Sequence, residues 1–242
     1  MSRPERTAHA SHAAALAIFD LDGTITRRDT LLPYITGYLA RHPRRWWRVP
    51  LCLAPLLRYC LPGRDRGALK GAVIRLTLGG VTRRELVDWN RRFVARLLRG
   101  GVFAEALERI GAHRTNGAYL VLLSASPDLY VPEIAAALNF DTCVCTELYW
   151  QPDGRLRGTL ASLNRRAEEK VRCVQTLLST HRPFHSYAYG NSSADLPHLR
   201  LVSDGYYVNG RSLPAPDRAR IRTLHWQTPG LALPRAEDHN QP

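Results

Sequence analysis

Asp20 and Asp22 stand two residues apart at the end of an apolar run, Ala14-Ala15-Leu16-Ala17-Ile18-Phe19, and Gly23 and Thr24 follow at once. Side chains alternate faces along a strand, so residues i and i+2 point the same way. Two carboxylates converging where a strand ends suit phosphoryl transfer: one attacks phosphorus while the other handles protons. Asp20 is then the nucleophile and Asp22 the acid and base, with a pKa that its neighbours must raise. The plainer alternative for Asp20 is a carboxylate that caps a loop. Gly23 serves the backbone bend, and Thr24 is either a phosphate contact or a turn cap.

Three further stretches supply what such a pair lacks. Ser124 ends a second apolar run, Ala118 to Leu123, and the following Ala125-Ser126-Pro127 reads as a helix start with Pro at its first position. A hydroxyl and free main-chain amides at Ser124 and Ala125 would hold phosphate oxygens. Ser124 is alternatively a helix cap, although Ser126 suits that role better. Lys170, one of only two lysines, precedes an apolar face formed by Val171, Val174, Leu177 and Leu178. It would neutralise phosphate charge, or else lie on the surface of a charged helix. Finally, His185 to Tyr189 reads as a strand entering Gly190-Asn191-Ser192-Ser193-Ala194-Asp195, an oxygen-rich turn suited to Mg²⁺.

The elements that must position these residues follow from the gaps between them. Nearly a hundred residues separate Thr24 from Ser124, too many for a loop in a compact domain. The pattern predicts helices over 30–40, 82–98 and 102–112, the second carrying Leu86, Trp89, Phe93 and Leu97 on one stripe. Beyond Ser124 it predicts a helix over 128–138, a strand over 142–147 and a turn at Gln151-Pro152-Asp153-Gly154. A helix containing Lys170, the strand before Gly190 and a last strand at 206–208 complete the series. This alternation implies an α/β fold with a doubly wound parallel sheet, whose ligands bind beyond the carboxyl ends of the strands. From Ala215 onward the chain reads as a partly disordered tail.

In their order, Asp-x-Asp-Gly-Thr, the strand-end Ser, the helical Lys and Gly-Asn-x-x-x-Asp resemble the four motifs of the haloacid dehalogenase (HAD) superfamily, over roughly residues 14 to 213. The resemblance implies a Rossmann-like core (14–27 and 113–214), an inserted helical C1 cap (28–112), an N-terminal extension (1–13) and a C-terminal tail (215–242). It implies a Mg²⁺-dependent phosphomonoesterase that works through an aspartyl-phosphate, with Asp20, Asp22, Ser124 and Lys170 catalytic. Its phosphate and substrate contacts would be Thr24, Asp29, Ser124, Ala125 and Lys170. The metal would be held by the side chain of Asp20, the main-chain carbonyl of Asp22, Asn191 and Asp195, the last directly or through a water. Asn191 stands where many relatives carry Asp, which implies weaker or altered metal preference. Asp29 matches the acidic residue with which phosphoserine phosphatases bind an ammonium group, and a helix N-cap explains it equally. Within the family the chain is similar to the phosphoserine-phosphatase branch, and its Tyr38-Leu39-x-Arg41 and Gly63-Arg64 to the phosphatidylglycerophosphatase C type. Two alternatives to a small phosphorylated metabolite therefore stay open: a phospholipid head group at the membrane surface, and a catalytically weak binding or scaffold module. Asp22 and the Gly-Thr after it speak against dehalogenation.

The whole composition bears on partners. Of 242 residues 45% are hydrophobic and 23% charged, which suits one core domain with a modest insertion. The net charge of +13 rests almost wholly on arginine and favours anionic partners. No aromatic platform is interleaved with the arginines, so nucleic acid is not favoured as a partner. The apolar stretch from Trp46 to Leu61, flanked by Arg41, Arg44, Arg45, Arg64 and Arg66, is too short and too Pro-broken to span a bilayer. It suits contact with an anionic membrane surface, or burial in the cap or a homodimer. Met1 to Ala13 has no apolar signal core, and Cys52, Cys60, Cys143, Cys145 and Cys173 form no disulfide framework. The expectation is a cytoplasmic monomer or homodimer, peripheral at the inner membrane if lipid is the partner.

Overall fold

A computed structural model describes residues 15–60 and 65–231. The expected N-terminal extension, Arg64 and the end of the tail lie outside them. In chain order the elements are β1 (Ala15–Phe19), α1 (Leu31–Arg41), α2 (Leu53–Cys60), α3 (Arg66–Leu78), α4 (Arg83–Leu98), β2 (Val102–Phe103), α5 (Ala104–Thr115), β3 (Tyr119–Pro127), α6 (Val131–Ala137), β4 (Thr142–Thr146), β5 (Leu148–Trp150), β6 (Leu156–Leu160), α7 (Glu168–His181), β7 (His185–Gly190), α8 (Leu196–Leu199), β8 (Asp204–Val208), β9 (Ile221–Leu224) and β10 (Pro229–Gly230). Two 3₁₀ segments, Pro43–Arg48 and Pro50–Cys52, lie between α1 and α2.

Six strands form one parallel sheet in the order β4-β3-β1-β7-β8-β9. The central β1 is buried along Leu16 to Phe19, as expected of a strand covered on both faces. Its two faces feed separate cores. Leu16 and Ile18 pack with Val121, Val174 and Ala188, whereas Ala17 and Phe19 join the larger cluster that runs into α1, α4 and α6. Phe19, Tyr189 and Tyr206 stack in adjacent strands at centroid separations of 4.3 and 4.7 Å.

The inserted helices join the same core. Tyr34, Trp89 and Phe93 are buried together against Tyr130, and Asn90 bonds Tyr34 Oη, the Leu129 carbonyl and Glu133. Thr82 starts α4 with a reciprocal capping box to Glu85. The β5–β6 hairpin, turned at Gly154 as the Pro-Asp-Gly signal predicts, packs along α3.

Three expectations are corrected. Pro127 does not open a helix: β3 runs through it, and α6 begins at Val131 with Pro132 in its first turn. Val102 and Phe103 are not helical, because they pair antiparallel with Pro229 and Gly230 before α5 starts. The region from Ala215 is not a plain tail, because Ile221–Leu224 pairs parallel with β8 as the sheet edge and buries Ile221.

Candidate active site

The carboxyl ends of β1, β3 and β7 open onto one cavity of about 500 Å³, lined from the core by Asp20, Asp22, Ala125, Ser126, Asn191 and Asp195 and from the insertion by Arg66 and Lys70. Strand order explains the convergence. With β1 between β3 and β7, the residues that leave these three strands meet although they are a hundred residues apart in sequence.

Asp20 is buried and fully engaged. Its Oδ1 accepts from Lys170 Nζ at 2.6 Å and its Oδ2 from Thr24 Oγ1 at 3.1 Å. Thr24 is itself buried, and its hydroxyl is committed to Asp20. Lys170, at the start of α7, also donates to Asp195 Oδ1 at 2.6 Å, and the other Asp195 oxygen accepts from Ser192 N and Oγ. One ammonium thus serves two carboxylates. Burial pulls Lys170 down, but the two negative charges hold it above the ordinary lysine range. Burial raises Asp20 against the opposing pull of Lys170. Burial also pushes Asp195 up, but the Lys170 and His198 charges and the hydrogen bonds from Lys170 and Ser192 together outweigh it and hold it low.

Asp22 points to different partners. Its Oδ1 accepts from the main-chain N and Oγ1 of Thr30 at 2.8 and 2.7 Å, and its Oδ2 from Ser126 Oγ at 2.5 Å. Since Thr30 Oγ1 donates to Asp22, Tyr130 Oη at 2.9 Å must donate to Thr30. Burial raises the Asp22 carboxyl, and the nearby Asp29 adds to it. A carboxyl whose pKa burial raises suits proton donation to a leaving group.

Ser124 is brought to the site but not into the cavity lining: it is fully buried, and its Oγ accepts from Ser126 N at 3.0 Å. Its own proton has no acceptor among the described residues and stays available as a donor. Asp29 is exposed at the cavity, one residue before Thr30, the N-cap of α1, and its Oδ1 accepts from Leu31 N at 3.0 Å. Sequence reasoning missed Ser126 and Thr30 as partners of Asp22. A serine and a threonine near helix starts gave only a capping signal.

The turn after β7 lies against the loop after β1. Gly23 has φ +76°, and a Cβ there would stand 1.9 Å from Asn191 Nδ2, so only glycine admits the Asn191 carboxamide beside that loop. A Cβ on Gly190 would stand 2.6 Å from that of Asp195. The donors assembled here, the Asp20 carboxylate, main-chain carbonyls and the Asn191 amide oxygen, are hard oxygen ligands that fit Mg²⁺. Among the described residues no three His, Cys, Asp or Glu side chains form a metal cage. A sparse set is compatible with Mg²⁺, which keeps waters and shares substrate phosphates. The Leu21 carbonyl is unavailable, because it accepts from the amides of Thr24, Ile25 and Thr26.

Residues 17–200 match the family model described as haloacid dehalogenase-like hydrolase. The chain is 32% identical over 214 residues to protein CicA of Caulobacter vibrioides, covering 88% of this chain and 94% of that protein. It is 28% identical over 213 residues to probable phosphatase Rv3661 of Mycobacterium tuberculosis, covering 86% and 71%. Its fold matches that of a phosphoserine phosphatase solved as a phospho-aspartyl intermediate analogue, with TM-score 0.60 and 14% identity over 89% of this chain and 94% of that one. The family match over most of the chain, joined to the Asp20, Lys170 and Asp195 cluster at the strand ends, makes this protein a member of the haloacid dehalogenase-like hydrolases.

Proposed function

We propose that the protein is a phosphomonoester hydrolase that forms an aspartyl-phosphate on Asp20 and acts on a small phosphorylated substrate. The observation that carries this reading is the division of labour between the two carboxylates: Asp20 is bound to a lysine, Asp22 to hydroxyls that leave it raised. In the first step a carboxylate oxygen of Asp20 bonds to phosphorus as the ester oxygen leaves, and the Asp22 proton passes to that oxygen. In the second, Asp22 takes a proton from water, whose oxygen attacks phosphorus and releases Asp20 and inorganic phosphate. Lys170 offsets the charge of Asp20, Asp195 orients Lys170, and Ser124, behind the lining, holds the Ser126 amide beside Asp22. Mg²⁺ held by Asp20, the Asp22 carbonyl and Asn191 would supply positive charge that lessens the repulsion between carboxylate and phosphate. The phosphatase name of the mycobacterial relative and the phospho-aspartyl title of the structural neighbour support the same reading.

Purified protein should hydrolyse p-nitrophenyl phosphate with Mg²⁺ and stop on chelation. Asp20→Asn should lower turnover by about three orders of magnitude or more. Near-normal turnover by Asp20→Asn would exclude the covalent route. No hydrolysis of any ester by wild type would leave a binding module.

A second reading, work at an anionic membrane surface, is favoured by one feature of the insertion. Trp46, Trp47, Leu51, Leu53, Leu56 and Leu57 are all exposed along the 3₁₀ segments and α2. No acidic residue occurs between Asp29 and Asp65, whereas Arg41, Arg44 and Arg58 are exposed there. Arg45 and Arg48 are instead bound to the Thr77 and Gly79 carbonyls at the end of α3. Among the described residues no helix is long and apolar enough to cross a membrane. Aromatic and aliphatic groups would enter the interface while each exposed arginine contributes about 1 kcal/mol. Co-sedimentation with anionic vesicles at low salt, lost at high salt and in Trp46→Ala/Trp47→Ala, is the expected result. Equal pelleting with neutral vesicles, or none at low salt, would refute it.

A further inference from the structure

Besides Lys170, five cations line the active-site cavity: Arg27, Arg28, Arg66, Lys70 and Arg166. Among the described residues none of the five forms an ion pair with a carboxylate. Apart from Asp20, Asp22 and Asp195, only Asp29 among the lining residues is acidic. The lining cations thus outnumber the lining carboxylates by six to four.

Lys70 is the most constrained of the five. Its Nζ donates to the Ala125 carbonyl at 2.5 Å and to Asn164 Oδ1 at 2.7 Å. An ammonium has three donors, and the third has no protein partner among the described residues. Both partners are neutral, and burial lowers the group to about 8. The Asp22 and Asp29 charges oppose that fall without pairing with the ammonium, so a partly buried cation is left with a donor suited to an anion.

The position of Lys70 is set by packing. The next residue, Gly71, faces the β5–β6 hairpin, where a Cβ would lie 3.3 Å from the Gly158 carbonyl. Gly158, at φ +82°, leaves no room for a Cβ, which would be 2.4 Å from Arg75 Cα. α3 is thereby seated on the hairpin, with Arg66 and Lys70, four residues apart, on one helix face.

We propose that Lys70, with Arg66 and Arg166 on the same cavity, binds a second anionic group of the substrate, so that the enzyme selects phosphomonoesters that carry a further carboxylate or phosphate. The inference rests on the phosphomonoesterase reading and names its substrate class. It makes Lys70 a specificity residue that stands apart from the phosphoryl-transfer step.

The test compares 3-phosphoglycerate with glycerol 3-phosphate, which differ in a carboxylate against a hydroxymethyl group. Wild type should favour 3-phosphoglycerate in kcat/KM. Lys70→Met should reduce that preference about tenfold, chiefly through KM, while Lys70→Arg, which keeps the charge, should retain it. Arg66→Gln, at the exposed start of α3, reads the same ratio if Lys70→Met fails to fold. An absent preference in wild type, or one that survives Lys70→Met and Arg66→Gln, overturns the inference. If neither ester is hydrolysed, calorimetry on the Asp20→Asn protein still decides the inference, and p-nitrophenyl phosphate left intact as well marks the failure of the phosphatase reading instead. Tighter binding of 3-phosphoglycerate that is lost on adding Lys70→Met supports it, and equal affinities overturn it.

Discussion

Asn191 presents a neutral oxygen where a carboxylate would bring a full negative charge, and its carboxamide makes no hydrogen bond among the described residues that would commit it elsewhere. Asp195, by contrast, has both oxygens occupied, by Lys170 and by Ser192. The two acceptors of this turn therefore divide the work: Asn191 is open to a cation and Asp195 positions the lysine. Asn191→Asp should lower the Mg²⁺ concentration for half-maximal phosphatase activity severalfold, because a charged ligand binds a hard cation more strongly than an amide does. A Mg²⁺ titration of both proteins checks this, and an unchanged midpoint would place the cation away from residue 191.

At the scale of elements, the site depends on strands that end at one level and on what seals the far edge of the sheet. β9 closes that edge, and the segment after it returns across β7 and α5. Trp226 is buried between Phe103 and Tyr189, at centroid separations of 6.2 and 6.0 Å. Asn209 holds its main chain from both sides, bonding the Trp226 carbonyl and amide at 2.9 and 2.8 Å. Tyr189 lies one residue before the turn that carries Asn191, so this packing supports the site from behind. Trp226→Ala should cost about 3–5 kcal/mol of unfolding free energy, as large buried aromatics do. Urea denaturation measures it, and a loss below 1 kcal/mol would show that the segment after β9 is dispensable.

For the molecule as a whole, folding keeps some bases neutral in a strongly basic chain. His113 lies against Phe19 and Tyr187 and bonds Tyr189 Oη at 2.8 Å. Burial, and then the Arg109 charge, lower it from 6.5 to about 4. The unfolded chain takes up this proton near pH 6.5 and the folded chain only near 4. The contribution of His113 is thus fully present above pH 6.5 and lost as pH falls through that window. Thermal melts between pH 7.5 and 4.5 should show a shallower loss of Tm for His113→Gln than for wild type. Parallel curves would assign the acid sensitivity to other groups.

Sequence by itself determined the frame of the candidate site. Asp20 and Asp22 are two apart just after a strand that must be buried, Lys170 begins an amphipathic helix, and Asn191 and Asp195 share one turn, so local spacing already specifies where each group leaves its element. The parallel α/β architecture was legible for the same reason, because alternating strand and helix periodicities allow few packings. Tertiary structure alone decided which hydroxyls hold Asp22, that Thr24 serves Asp20, and that Lys70 crosses from the inserted helices to the Ala125 carbonyl. It also made Ile221–Leu224 a sheet strand, although four residues among arginines and prolines carry no periodic signal. The physical reason is common to all of these. Spacing along the chain fixes which side chains share a face, whereas the partner across a gap of a hundred residues is set by strand order and helix packing, which single residues do not encode.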